Sequence, residues 1–290
     1  MPNQIELIQK YVPILDEVYG VSSLTARLDG SPDLARQGAN TNELIIPMLD
    51  MQGLADYSRN SGYVDGEVAL TNETVPVNFD RGRMFAVDAM DDRETAHLAF
   101  GRLAGEFIRT KVAPELDAFR FAMYASAPGI SGAAADLPSG SAVIGALRAA
   151  ANKMDEDEVP AEDRILFITP TLAGFVEDLD TGKSKAALAR FSALVKVPQA
   201  RFYTAICQRD GHTPGQEAGG YVKAEGAANI NFMALHKGAL IQYTKHIAPK
   251  VISPEQNQHA DAWRYGYRIV AVADVYANKR CGVYLHESEQ

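Results

Sequence analysis

The chain has 290 residues, of which 47% are hydrophobic and 22% are charged, and its formal net charge at pH 7 is −9. This composition supports one or two folded domains with a substantial core and excludes a largely disordered chain. The acidic balance, without any block of Lys or Arg, argues against a protein that reads nucleic-acid sequence, because such proteins usually present a basic face.

The N-terminus, MPNQIELIQKY, is mixed and polar and lacks the apolar core of a signal peptide. No run approaches the roughly 20 apolar residues that a membrane-spanning helix needs. We therefore expect a soluble chain that is made in the cytosol. Its two cysteines, Cys207 and Cys281, have no metal-type spacing, and we favour reduced thiols over a disulfide between them.

The first part of the chain predicts a helical arm followed by a long two-stranded excursion. Residues 3–18 carry apolar side chains at helical spacing, and residues 42–51 predict a strand that Pro47 confines to an edge or irregular position. Residues 52–74 are polar and rich in turn-forming residues, and with residues 75–90 they form a hairpin-like excursion with little core of its own. An isolated two-stranded arm is only marginally stable in water. This excursion therefore predicts a partner surface and an oligomer.

The second half of the excursion predicts two pieces of strand. Apolar and polar side chains alternate over residues 75–81, which is typical of a half-exposed strand. Gly82 interrupts this alternation, and residues 84–87 form a short apolar run that predicts the next piece of strand.

A very long helix should follow. Asp91 and Glu94 predict its start, because together they can form a capping box and their charges favour the positive end of the helix dipole. Pro114 should kink the helix or start a second one, since it removes a backbone hydrogen bond. Three large side chains mark the apolar stripe of this helix: Phe100, Leu103 and Phe107.

The remainder of the chain predicts a mixture of helices and strands without a repeated βα unit. Helices are predicted over residues 141–154, 172–179 and 183–193. Strands are predicted over residues 164–169, 202–207, 230–235, 239–244, 262–276 and 281–285. Only residues 236–238 separate two of these strands, so we expect residues 230–235 and 239–244 to be adjacent strands or to form a hairpin. The whole pattern is typical of an α+β fold.

The sequence shows no strong catalytic motif. Phosphate-binding glycine signatures, GxSxG and HExxH are all absent, and the six histidines stand alone. Asp88, Asp91 and Asp92 are oxygen ligands that could hold Mg²⁺ or Ca²⁺, but helix capping accounts for them better. We therefore predict no catalytic residue, no metal and no cofactor. A remote alternative is a soluble α+β enzyme whose carboxylates come together from distant positions.

Five segments together resemble a known family. They are NELIIPMLDMQGLADYSRNSGYVDGEV, VNFDRGRMFAVDAMDDRET, VAPELDAFRFAMYA, EVPAEDRILFITP and GYRIVAVADVYANKRCGVYLH. In their order and spacing they resemble the major capsid protein of tailed bacteriophages, with the Hong Kong ninety-seven-type fold that encapsulin shells share. The resemblance covers nearly the whole chain.

The resemblance implies a division of the chain into functional regions. Residues 1–40 would be an N-terminal arm, and residues 41–91 an extended loop that lies over a neighbouring subunit. A peripheral domain would comprise residues 92–134, with the long spine helix, and 246–271. An axial domain would comprise residues 135–245 and 272–290.

The resemblance also implies a function without catalysis. The subunit would assemble into pentamers and hexamers of an icosahedral or prolate shell around double-stranded DNA, in a virion assembled in the host cytoplasm. Its partners would be other copies of itself, a separate scaffolding protein, a portal, decoration proteins and weakly bound DNA, but no membrane. The alternative within the same fold is an encapsulin-like compartment shell. The candidate inter-subunit contacts are Asp56, Tyr57, Arg59, Tyr63, Asp80, Arg81 and Arg83.

One departure from the type member concerns covalent cross-linking. That phage links its subunits through a lysine on the extended loop. In this chain no lysine occurs between Lys10 and Lys111. We therefore predict a shell that is held together by non-covalent contacts alone.

Overall fold

The computed structural model describes residues 18–20, 22–30, 36–37, 43–60, 62–94, 98–179 and 181–289. The predicted helical arm of residues 3–18 lies outside this part of the chain, except for its last residue. The strands are β1 (Arg36–Gln37), β2 (Glu43–Met51), β3 (Val68–Pro76), β4 (Phe79–Asp88), β5 (Ser131–Ala134), β6 (Arg164–Ile168), β7 (Ala193–Lys196), β8 (Ile206–Gln208), β9 (Tyr221–Lys223), β10 (Ile230–His236), β11 (Leu240–Ile252), β12 (Ala262–Val275) and β13 (Val283–Glu287). The helices are α1 (Ala89–Glu94), α2 (Leu98–Phe107), α3 (Ala113–Ala125), α4 (Gly140–Glu156), α5 (Pro170–Glu177) and α6 (Gly182–Leu188).

Five strands form a mixed sheet in the order β5-β13-β10-β6-β7. Strand β10 runs antiparallel to β13 and β6, whereas β5 and β7 join the two edges in parallel. Every residue of β6, the run RILFI, is buried, as expected for a strand that is covered on both faces. Helices α4 and α5 cover one face, where Leu147 belongs to the same core cluster as Leu166 and Phe232. The helices predicted over residues 141–154 and 172–179 are thus confirmed in type, as are the strands predicted over residues 164–169, 230–235 and 281–285.

A second sheet has the order β11-β12-β4. Strands β11 and β12 form a long antiparallel hairpin, and β4 pairs with β12 from Asp88 to Phe79. The predicted hairpin of residues 230–235 and 239–244 is wrong. Strand β10 pairs with β6 and β13, so the short turn at 237–239 carries the chain from one sheet to the other.

A long helical rod packs against both sheets. Helix α2 continues through a five-residue π-helical turn, Ile108–Val112, into α3. Residues 98–125 therefore form one rod of about 42 Å at ~1.5 Å per residue. The sequence predicts a kink or a restart at Pro114. The α-helix does restart there: α3 begins at Ala113, with Pro114 in its first turn. The π-helical turn precedes it, and Ala113 N donates to Ile108 O, so the missing amide of Pro114 is accommodated while the rod continues.

Helix α3 connects the cores of the two sheets through its aromatic side chains. The ring of Phe119 lies 4.9 Å from that of Phe79 on β4. The ring of Phe121 lies 5.1 Å from that of Phe167 on β6 and 4.8 Å from that of Phe202. All three distances are between ring centroids and fall in the range of favourable aromatic pairs. The rod is therefore the element on which both sheets are assembled.

Two predicted boundaries in the strand-to-helix segment are wrong. Gly82 lies inside β4 opposite Arg268, and the break falls at residues 77–78. A Cβ at Gly82 would come within 2.8 Å of the backbone oxygen of Tyr267, so glycine permits close strand approach there and does not end the strand. Helix α1 begins at Ala89, because the carboxylate of Asp88 accepts from Met90 N at 2.8 Å. Asp91, the predicted cap, lies within the helix.

Candidate subunit interface

Strands β2 and β3 form a hairpin that projects from the rest of the described chain. They pair without a register shift from Glu43 with Pro76 to Met51 with Val68. Nine residues at ~3.3 Å each place the end of the hairpin about 30 Å from its base. Strand β1 pairs only with Leu44 and Ile45 of β2. A hairpin-like excursion is therefore present, but the predicted assignment of residues 75–90 to it is wrong: its second strand is β3, and β4 belongs to the second sheet, where it pairs with β12.

The hairpin tip, residues 52–67, has a compact local structure. Ser58 and Gly62 form a bridge through reciprocal backbone hydrogen bonds of 3.2 and 2.8 Å, and Gly62 has a φ of +80° that favours glycine. The rings of Tyr57 and Tyr63 meet edge to face at 4.9 Å. The tip thus presents two aromatic side chains on a closed turn.

Exposed apolar side chains concentrate on this hairpin. Of the twelve large hydrophobic residues that are exposed in the described chain, eight lie between positions 49 and 70. Tyr63 is 88% exposed, and Leu54 is fully exposed. Apolar exposure of this extent, collected on one arm, marks an interaction surface in a folded protein. The eight residues are Leu49, Met51, Leu54, Tyr57, Tyr63, Val64, Val68 and Leu70.

The base of the hairpin, in contrast, is well buried. Ile46 on β2 is 4% exposed and Val75 on β3 is 2% exposed. Both belong to a core cluster with Ile241, Tyr243 and Val272 from β11 and β12. The anchored base and exposed tip make the hairpin an arm that is held rigidly at one end.

Three of the predicted contact residues form bonds within their own chain. Arg81 Nε donates to Glu115 Oε1 at 2.8 Å, and its Nη2 donates to the backbone oxygen of Arg209 at 2.7 Å. Arg83 Nη2 donates to the backbone oxygen of Glu217 at 2.8 Å. Burial raises the pKa of Glu115, and Arg81 opposes that shift. These contacts tie β4 and α3 to the loop of residues 209–220, which we call the clasp.

The third such residue, Asp80, forms an ion pair with Arg268 on β12. The pair is exposed and spans neighbouring strands. The other predicted contacts, Asp56, Tyr57, Arg59 and Tyr63, all lie on the exposed tip. Of the predicted helix residues, Leu103, Phe107 and Pro114 are partly buried on the rod, while the side chains of Glu94 and Phe100 lie outside the described part.

A buried polar network joins the N-terminal segment to the rod, and sequence reasoning missed it. Asp117 and Arg120 on α3 are both fully buried. Asp117 accepts from Ser23 Oγ at 2.8 Å and from Leu24 N at 2.9 Å. Arg201 Nη1 also donates to Asp117, at 3.2 Å. The available signal was a pair of opposite charges three residues apart, Asp117 and Arg120, within the mostly apolar run LDAFRFAMYA.

The other end of this network reaches β11. Gln242 Nε2 donates to the backbone oxygen of Thr25 at 2.7 Å and to Asp29 Oδ1 at 2.8 Å. Tyr124 donates to Gln242 Oε1 at 2.6 Å, and burial raises the pKa of this phenol. Arg120 donates to Asp29 at 3.1 Å. Residues 23–29 are thereby fastened to the rod and to the second sheet.

A large open cleft lies between the rod, β4 and the clasp. Its volume is about 1430 Å³. Apolar side chains form its floor, where the ring of Phe107 lies 4.8 Å from that of Phe85 and 6.2 Å from that of Tyr267. Its charged lining comprises Arg81, Arg83, Lys111, Arg209, Lys223, Glu106, Glu115 and Asp210. We call this space the β4 cleft.

Within the described residues, no group of three or more His, Cys, Asp or Glu side chains is placed to hold a metal ion. No helix in the described ranges is both long and apolar enough to cross a bilayer.

No model of a known protein family and no curated protein sequence matches the chain. Solved structures do match it along nearly its full length. That of Gordonia phage Cozz has a TM-score of 0.62 at 14% identity, covering 93% of this chain and 87% of that chain. The capsid structure of Cyanophage P-SCSP1u has a TM-score of 0.56 at 14% identity, covering 88% and 86%. The chain has the Hong Kong ninety-seven-type capsid fold.

The same fold links the chain to an archaeal particle. The virus-like particle from Pyrococcus furiosus matches with a TM-score of 0.58 at 10% identity, over 94% of this chain and 96% of that chain. The Hong Kong ninety-seven-type fold predicted from the five sequence segments is thereby confirmed.

Proposed function

We propose that the chain is a major capsid protein that assembles into pentamers and hexamers of a closed shell around double-stranded DNA. The observation that carries this proposal is the β2–β3 hairpin, whose base is buried and whose apolar tip is exposed. In a chain with a capsid fold, an exposed arm of this kind finds its partner on a neighbouring copy. Contacts between unlike surfaces, repeated by rotation, build five- and six-membered rings.

The proposal divides the chain as the sequence resemblance does. The extended loop is residues 41–91, the peripheral domain is residues 92–134 and 246–271, and the axial domain is residues 135–245 and 272–290. Two observations support this division. The hairpin projects from the second sheet, and the five-stranded sheet has its own core with α4 and α5. A separate scaffolding protein, a portal and decoration proteins complete the proposed set of partners.

The proposed function is tested by the state of assembly. We would purify the protein, with co-expressed scaffolding protein where one is encoded nearby, and measure its mass by light scattering and its shape by electron microscopy. Hollow polyhedral shells or free pentamers and hexamers are expected. A protein that stays monomeric at high concentration, with scaffolding protein present, would overturn the proposal.

Two leucine substitutions separate a loss of assembly from a loss of folding. Leu54→Ser changes a fully exposed residue of the tip, so it should reduce assembly and leave the free energy of unfolding of the subunit unchanged. Leu179→Ser is the matched control, because Leu179 lies beyond α5, is 40% exposed and approaches Gly140. It should lower stability slightly and leave assembly intact.

The second candidate is a protein compartment that holds an enzyme cargo. The match to the Pyrococcus furiosus virus-like particle favours it as the alternative. The contents of purified shells distinguish the two. Nuclease-protected double-stranded DNA supports the phage capsid, whereas a stoichiometric protein cargo without DNA supports the compartment.

A further inference from the structure

The rod and strand β4 touch at two aromatic pairs. The ring of Phe119 lies 4.9 Å from that of Phe79, measured between centroids. The ring of Phe107 lies 4.8 Å from that of Phe85. Positions 79 and 85 share one face of the strand, because alternate residues of a strand point the same way. Both rod positions, which are twelve residues apart, must therefore point toward that one face.

A regular α-helix does not satisfy this geometry. Each residue of an α-helix advances by about 100°, so a separation of twelve residues leaves two side chains about 120° apart around the axis. A separation of eleven residues leaves them only about 20° apart. The rod thus contains one residue more than an α-helix needs to point Phe107 and Phe119 at the same face of β4.

The π-helical turn Ile108–Val112 holds this extra residue. Its hydrogen bonds join residues five apart, as from Ala113 N to Ile108 O, so the turn contains one residue more than an α-helical turn. The burial of the rod agrees with this correction. Ala104 and Leu116 are also twelve residues apart, on opposite sides of the turn, and both are buried.

Pro114 fixes the place of the π-helical turn. A proline has no amide hydrogen, and its ring crowds the carbonyl four residues before it, which here belongs to Thr110. An α-helical course through residues 110–114 is therefore disfavoured, whereas the wider π-helical turn leaves room for the ring. The hydroxyl of Thr110 donates to Glu106 O at 2.7 Å, so a carbonyl beside the turn also has a side-chain partner.

From these observations we propose that Pro114 is a positioning residue for the arm, because the turn before it sets the rotational register of the rod along β4. Glu115, the next residue, bonds Arg81 of β4 at a point between the two aromatic pairs. Only residues 77–78 separate β4 from β3, so the strand that the rod holds is also the strand that carries the arm. The effect on assembly rests on the proposed function, whereas the register belongs to the single subunit.

Two changes, made singly and together in the full chain, test the register. Deletion of Thr110 removes the extra residue, and Pro114→Ala removes the obstacle to an α-helical course. The deletion alone should lower the midpoint of denaturant unfolding, since the shortened rod must either turn α2 by about 100° or press the proline ring against a carbonyl. The two changes together should return the midpoint toward the wild-type value, because a continuous α-helix with one residue fewer again points Phe107 at Phe85.

A deletion in a regular α-helix is the matched control. Arg148 is exposed on α4, which is α-helical from Gly140 to Glu156. Its deletion should lower the midpoint equally in the wild-type and the Pro114→Ala backgrounds. A double variant no more stable than the Thr110 deletion would overturn the proposal, and so would an equal rescue of the Arg148 deletion.

A ring substitution reports the register itself. Phe107→Leu should lower the unfolding midpoint of the double variant as much as that of the wild type, because in both the ring packs on Phe85 and Tyr267. Replacing a proline by alanine can stabilise a helix through propensity alone. If the effect of Phe107→Leu is lost in the double variant, the rescue comes from that propensity and the register proposal is rejected.

Assembly separates this proposal from the proposed function. The double variant should form shells at the concentration at which the wild type forms them, as seen by light scattering and electron microscopy. A double variant that keeps the effect of Phe107→Leu but forms no shells would overturn the role of Pro114 in positioning the arm. A wild-type protein that never assembles would overturn the proposed function, while the unfolding measurements on the single subunit would still decide the register.

Discussion

Asp117 and Arg120, one turn apart on α3, are joined through a single hydroxyl group. Arg120 Nη1 donates to Thr25 Oγ1 at 2.9 Å, and the same hydroxyl donates to Asp117 Oδ1 at 2.6 Å. Two opposite charges that are fully buried are therefore bridged by a residue from a distant segment. Buried charges need such partners because desolvation is costly.

The first prediction concerns this bridge. Thr25→Val keeps the shape of the side chain and removes the hydroxyl, so the free energy of unfolding of the unassembled subunit should fall by about 1–3 kcal/mol. Denaturant titration measures the change. Ser126→Ala is the control, because that hydroxyl is exposed and bonds only within its own helical turn, to Met123 O. Equal stabilities of the Thr25 variant and the wild type would show that the bridge is energetically neutral.

The second prediction concerns the clasp. Arg81→Ala should leave the carboxylate of Glu115 without its ion pair and release the backbone oxygen of Arg209. Hydrogen exchange at residues 209–220 should then become faster. Arg81→Lys should rescue this only in part, because one ammonium group cannot reproduce the spread of guanidinium donors.

A matched arginine on the next strand is the control for the clasp. Arg268→Ala breaks the pair with Asp80, which is exposed on both sides, and exposed pairs contribute little. Hydrogen exchange of residues 209–220 should stay at the wild-type rate. Similar acceleration by both variants would mean that the sheet, and not the clasp, had been loosened.

The third prediction concerns pH. His286 is 3% exposed and burial lowers its pKa. Asn231 Nδ2 bonds both Ala135 O and His286 Nδ1, an arrangement that fits a neutral imidazole with Nδ1 as acceptor. The imidazole of His286 binds a proton more readily in the unfolded state than in the folded state. Its contribution to the free energy of unfolding is therefore complete above the unfolded-state pKa of about 6.5. That contribution is lost as the pH falls through this value toward the lower folded-state pKa.

The test is the free energy of unfolding between pH 8 and pH 5. The loss for one site cannot exceed about 1.4 kcal/mol per pH unit. His286→Gln, which keeps an acceptor, should flatten the profile. His259→Gln alters an exposed histidine and should leave the profile as in the wild type. An unchanged slope in the His286 variant would show that this residue does not titrate on unfolding in that window. His236, whose pKa burial also lowers, would contribute in the same direction.

The fourth prediction concerns covalent bonds between subunits. The hairpin contains no lysine, since none occurs between Lys10 and Lys111. Mature shells should therefore dissolve in hot detergent to chains of 31.4 kDa, as seen by denaturing electrophoresis under reducing conditions. Ladders of higher mass that resist reduction would contradict a non-covalent shell.

The sequence predicts a helix or strand best where the residues that determine it all lie within one continuous segment. The rod is predicted because its apolar stripe lies within one helix, and β6 because residues 165–168 form a compact apolar run. Gly82 was misassigned because its role depends on the backbone of Tyr267, which approaches from a strand more than 180 positions away. A glycine inside a strand and a glycine that ends one look alike in sequence.

The candidate site was predictable only in part, for the same reason. The exposed positions of Tyr57 and Tyr63 could be predicted because both residues lie in a polar, turn-rich stretch of the sequence. The contact of Arg81 with a neighbour stays a prediction, whereas its bonds to Glu115 and to the carbonyl of Arg209 could not be predicted, because those partners come from distant positions. The partners of Asp117 lie in residues 23–25 and at position 201, and no local pattern connects them.

The hairpin also has an outer edge, and Pro47 lies on it. Among the described residues, β1 pairs only with Leu44 and Ile45 of β2, and an exposed strand edge can template the growth of a β-fibre from concentrated subunits. A proline has no amide hydrogen to offer to an incoming strand, and the charge of Asp50 nearby opposes stacking of identical chains. The arm thus combines an exposed apolar tip with a flank that is poor in hydrogen-bond donors, and such a flank disfavours edge-to-edge growth into filaments.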